Sequence, residues 1–134
     1  MIADETANPS FVVADLLSQA EHGADSQVVF LTTSKEILEK VKQETEVQLQ
    51  DLPRKEISEK ALENSIFILL NSIEECIEFS NEYAPEHLII SIENPENILS
   101  EKAETPEENK QVVKAHVKPT NTIASKKNSA GDKK

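Results

Sequence analysis

Gln27-Val28-Val29-Phe30-Leu31-Thr32-Thr33-Ser34 joins a short apolar run to a helix-opening serine, and this junction decides the fold. Val28 to Leu31 is apolar at every position and opens on two β-branched residues. Such a run suits a strand buried on both faces, since a strand with one wet face would alternate apolar with polar. Ser34 then caps a helix carrying Ile37, Leu38 and Val41, with Val47 as a further candidate, which stops before Pro53. A shorter helix follows with Ile57, Ala61 and Leu62. Ile66-Phe67-Ile68-Leu69-Leu70 repeats the signature of a buried strand. Ser72 and Glu75 match a capping box, opening a helix with Ile73, Cys76, Ile77 and Phe79. His87 to Ile92 is the last strand candidate, and Asn94-Pro95 opens a helical turn. In the other direction, Asn8 caps a helix whose first residue is Pro9. Val12, Val13, Leu16, Leu17 and Ala20 recur there at helical spacing, and Gly23 is the expected C′ residue.

Strands alternating with helices predict an α/β fold: an incomplete Rossmann-like parallel sheet flanked by helices, with ligands expected at the carboxyl ends of the strands. Met1-Ile2-Ala3 is only the tail of a strand, so the sheet is expected to lack at least one member. Residues 1–99 form this α/β part. Residues 100–134 turn to Lys, Glu, Asn, Thr, Ser and Pro with few large apolar side chains, and are expected to be a disordered polar tail.

Charge divides the chain in the same place. The first 100 residues carry 20 acidic and 6 basic groups, and the remainder carries 5 and 8. An acidic body without a Lys/Arg stripe repels nucleic acid and anionic membrane surfaces. The longest apolar run, Ile66 to Leu70, is far too short to span a bilayer. Met1-Ile2-Ala3-Asp4-Glu5 is acidic where a secretory signal needs positive charge. Cys76 is the single cysteine, which excludes an internal disulfide and a Cys-rich zinc site. A cytoplasmic protein is the expectation.

Two polar pairs stand out. In Asp15-Leu16-Leu17-Ser18-Gln19-Ala20-Glu21-His22-Gly23, Gln19 and His22 sit at i, i+3 on the last helical turn, so both can reach one point. In Tyr83-Ala84-Pro85-Glu86-His87-Leu88, an acidic residue and a histidine follow a proline that stops the preceding helix. Each pair has a plainer explanation when taken alone. A histidine at a helix C-terminus suits the exposed carbonyls there, and Glu-His at a strand start is ordinarily solvated. Cys76 is explained as a small buried apolar residue. His116 is given no role.

Together with Ala3-Asp4-Glu5-Thr6-Ala7-Asn8-Pro9 and Leu52-Pro53-Arg54, these segments closely resemble histidinol dehydrogenase, the family of the last two steps of histidine synthesis. The resemblance runs from Met1 to about Leu99 and stops; family enzymes are several times longer, so the chain resembles a fragment. The resemblance implies oxidation of L-histidinol to L-histidine through histidinal, with two NAD and a zinc ion. It makes Gln19 and His22 zinc ligands that also border substrate. It makes Glu86 the group that activates water, and His87 a proton acceptor in contact with substrate. It also implies a homodimer, cofactor contacts in sequence upstream of this segment, and a further zinc Asp and His downstream. None of these has a counterpart here, so the isolated chain is expected to be inactive. The alternative is a non-catalytic α/β remnant or interaction module in which the four residues are idle. Truncation, frameshift and fusion all remain open as origins of the tail.

Overall fold

Asn8 leaves an extended backbone at φ −86° and ψ 115°, and its side-chain oxygen accepts from the Ser10 amide. This cap, with Pro9 at the first position, starts α1 (Pro9–Ala20). Ser34 does the same for α2 (Lys35–Gln50), its hydroxyl accepting from the Ile37 amide. Ser72 does so for α4 (Ile73–Tyr83), accepting from the Glu75 amide. The Glu75 carboxylate reaches back to the Asn71 amide, one residue before the position a capping box uses. The remaining helices are α3 (Lys55–Glu63) and α5 (Pro95–Glu101). The computed structural model describes residues 1–101. The expected tail lies outside them, as does His116.

Four strands, β1 (Ile2–Ala3), β2 (Val29–Thr32), β3 (Ile66–Leu69) and β4 (Ile90–Ser91), form one sheet in the order β3-β2-β1-β4. Every pairing is parallel. The two-residue pleat sorts the core onto its two faces. Ala3, Val28 and Phe30 pack with Val12, Val13, Leu16, Leu17, Ile37, Leu38 and Val41 beneath α1 and α2. Ile2, Leu31 and Ile90 face the other way, onto Cys76, Leu88 and Ile98. Phe30 meets Phe67 of the neighbouring strand edge-to-face, at 5.6 Å between ring centroids. At the carboxyl edge, Asp4 ties the exits of two strands together. One of its oxygens accepts from the amide and hydroxyl of Thr6, the other from the Glu93 amide. No helix among the described residues is long and apolar enough to cross a membrane.

Four expectations need correction. Ile66 to Leu70 has the composition of an interior strand, yet among the described residues β3 stands at the sheet edge beside β2, and Ile66 and Leu69 are 41% and 43% exposed. β4 is two residues long where His87 to Ile92 was expected; among the described residues its partner is β1, which is equally short. Val47 lies on the solvent side of α2, and Thr45, one turn beyond Val41, takes the buried place instead, its hydroxyl donating to the Val41 carbonyl. Gly23 does not adopt the left-handed conformation of a C′ residue. α1 is closed earlier, by the Glu21 and His22 amides donating to the Leu17 and Gln19 carbonyls.

Candidate functional site

The last turn of α1 carries Gln19 inside the helix and His22 just beyond it, in the turn that the His22 amide closes onto Gln19. His22 Nδ1 lies 2.8 Å from the Ser18 carbonyl oxygen. A carbonyl has only lone pairs to offer, so Nδ1 is the donor, and in the neutral ring the lone pair is then on Nε2. Metal-ligating histidines are commonly held this way, by a hydrogen bond from the other ring nitrogen.

The second pair is set by the end of α4. Ala84 turns into the left-handed region, at φ 52° and ψ 61°, and its amide donates to the Ser80 carbonyl at 2.9 Å. Pro85 follows and forbids further helix. Glu86 and His87 then occupy an exposed bend before the buried Leu88.

Although far apart in the chain, Gln19, His22, Glu86 and His87 line one cleft of about 420 Å³. Its floor is Met1, Val28, Val29 and Ile89, residues at the amino ends of β1, β2 and β4. The cleft therefore sits at the amino edge of the sheet, opposite to the edge expected for a parallel α/β fold. The reason lies in the polar pairs, which follow the C-termini of α1 and α4, and in a parallel sheet those termini lie at the amino edge. Helix C-termini carry partial negative charge, so this end favours a cation over a phosphate. Asp15 and Glu86 in the lining have the same sign of preference. The Met1 amino group donates to the Val29 carbonyl at 2.6 Å, and burial pushes its pKa down to about 6.

A zinc ion fits this donor set as a partial ligand sphere. Gln19 offers an amide oxygen and His22 a neutral imidazole nitrogen, two donors where a zinc centre takes at least three from protein. No group of three His, Cys, Asp or Glu suited to a metal occurs among the described residues. Sequence reasoning missed the wall facing these residues, made by Gln27, Phe79 and Tyr83. Only the Phe79–Tyr83 spacing of one helical turn hinted at it.

A family model described as histidinol dehydrogenase matches residues 1–105. The histidinol dehydrogenase of Mannheimia succiniciproducens is 49% identical over 100 residues, covering 75% of this chain and 23% of that protein. That of Bacteroides thetaiotaomicron is 54% identical over 94 residues, covering 70% and 22%. The crystal structure of histidinol dehydrogenase from Elizabethkingia anophelis superposes with a TM-score of 0.73 at 63% identity, covering 74% of this chain and 23% of that one. The chain thus spans less than a quarter of the length of these relatives.

Proposed function

The chain belongs to the histidinol dehydrogenase family, and from that premise we propose that its amino-edge cleft is part of a site for L-histidinol and zinc in an NAD-dependent oxidoreductase. The observation that carries this reading is the convergence of Gln19, His22, Glu86 and His87 on one cleft, with His22 Nδ1 held on the Ser18 carbonyl. Gln19 Oε1 and His22 Nε2 hold the metal in this reading, and the remaining ligand positions are filled by groups outside the described residues. When bound, the zinc ion polarises the substrate oxygen and orients the amine and imidazole around it.

The chain's own residues then divide the acid–base work. Oxidising the alcohol releases a hydride, which NAD would accept, and a hydroxyl proton, which His87 would accept as the base. Converting the aldehyde to the acid adds water before a second hydride leaves. Glu86, acceptor-only when ionised, takes a proton from that water. The ordinary strand geometry that would point neighbouring side chains apart does not apply, because both residues sit in the bend before β4. Two protein donors and an exposed rim do not make a complete active centre, so the isolated chain does not turn over histidinol. NADH formation from histidinol by the purified chain, abolished by a chelator, would contradict that.

Calorimetric zinc titration of the purified chain, with and without L-histidinol, tests the binding reading. Weak zinc binding that histidinol tightens and His22→Ala abolishes is the expected result. Zinc binding indifferent to both would overturn it.

A further inference from the structure

Tyr83 is the last residue of α4 and stands immediately before the left-handed Ala84. Its hydroxyl donates to Gln27 Oε1 at 2.5 Å, and the Gln27 amide nitrogen donates onward to the Asn64 carbonyl at 2.7 Å. Next to Asn64, the Ser65 hydroxyl accepts from the Val28 amide and donates to the Ala61 carbonyl. The exit of α4 is thereby fastened to the segment entering β2 and to the end of α3. The Tyr83 ring lies against Phe79 one turn back, nearly parallel at 15° and 6.4 Å between centroids, which fixes the plane of the phenol. Beyond the bend the chain is held again, by the buried Leu88 and by the Ile89 carbonyl accepting from the Ile2 amide. Glu86 and His87 hang between these two fixed points.

We infer that Tyr83 and Gln27 are positioning residues: their hydrogen bond sets the direction in which the chain leaves α4 and so aims Glu86 and His87 into the cleft. The far anchor is a packed core residue, and the near anchor adds to the Ala84–Ser80 backbone bond one polar contact made by two exposed side chains. Removing that contact frees the bend at one end while the sheet stays intact. Its effect on ligand binding rests on the roles proposed above for Glu86 and His87, but its effect on the bend does not.

Amide and imidazole NMR spectra of the full chain test it. Tyr83→Phe removes one oxygen and keeps the ring stack. It should move the resonances of residues 84–88 and of the His87 ring. Residues 29–31 of β2 should stay in place, as should the His22 ring, which its own bond to Ser18 holds. Gln27→Leu removes the acceptor for the phenol and should reproduce Tyr83→Phe at residues 84–88. With zinc present, L-histidinol should bind Tyr83→Phe roughly fivefold more weakly, the worth of one ordinary hydrogen bond. Unmoved resonances at 84–88 in Tyr83→Phe or in Gln27→Leu would overturn the inference. A displaced bend with unchanged histidinol affinity would uphold the positioning and refute the substrate roles of Glu86 and His87.

Discussion

Ala84 is the only non-glycine residue with positive φ among the described residues, and it stands two residues before Glu86. An L-residue held in the left-handed region costs about 1–2 kcal/mol, because its Cβ crowds the following carbonyl. Ala84→Gly removes that crowding. Its methyl group is exposed, so no packing is lost with it. Against the gain stands the greater freedom of glycine in the unfolded chain, about 0.5–1 kcal/mol. The net expectation is a stabilisation of about 0.5–1 kcal/mol, which for an ordered region of this size raises Tm by roughly 2–6 °C. Urea unfolding followed by circular dichroism should show a higher midpoint at unchanged slope. Ala84→Val should fall on the other side, since a β-branched side chain tolerates that backbone less well than alanine does. A lower midpoint for Ala84→Gly would refute the reasoning: the end of α4 would not be held in a left-handed turn.

Other expectations follow from particular side chains. Ser58 is fully buried on α3 and its hydroxyl has no hydrogen-bond partner among the described residues, so Ser58→Ala should stabilise by about 1 kcal/mol in the same urea assay; a loss of that size would mean the hydroxyl is satisfied after all. Cys76 is fully buried, and burial first, then Glu75 and Glu74, push its thiol pKa up; an aromatic disulfide reagent should label it only at the rate of unfolding, and fast labelling of the native chain would contradict its placement. The Lys40 ammonium, 2.6 Å from Glu36, holds that carboxyl below its ordinary value through a hydrogen bond and then through charge. A lowered folded pKa contributes stability above the unfolded value and loses it as pH falls through the folded one. Lys40→Ala should therefore raise the Glu36 pKa in a carbon-detected NMR titration and remove that small acid-side dependence.

Local signals in the chain were legible because they act over a few residues. Asn8, Ser34 and Ser72 cap helices where their side chains reach amides two or three positions on. The apolar run at Val28 to Leu31 was readable as a strand, and β2 occupies Val29–Thr32 between two neighbours. The position of β3 was not legible, because strand order depends on which neighbours exist and the pattern of Ile66 to Leu70 says only that both faces prefer cover. The brevity of β4 follows from β1, a partner distant in sequence. At the cleft, the Gln19–His22 spacing was readable as one helical turn. Its meeting with Glu86 and His87 depends on the parallel strands carrying the C-termini of α1 and α4 to one edge. The Tyr83–Gln27 contact joins residues with no mutual pattern, so only the fold reveals it.

In the proposed site His22 presents Nε2 to a metal while Nδ1 keeps its proton on the Ser18 carbonyl, and one spectrum addresses both halves. In a chain labelled with nitrogen-15 at histidine, zinc and L-histidinol are added and the imidazole nitrogens of His22 are followed. The account predicts that His22 Nε2 shifts to a metal-bound position while Nδ1 keeps its proton and its coupling, and that Gln19→Ala weakens the change. Metal-dependent shifts confined to other histidines, or coordination of His22 through Nδ1 with loss of the Ser18 bond, would contradict it.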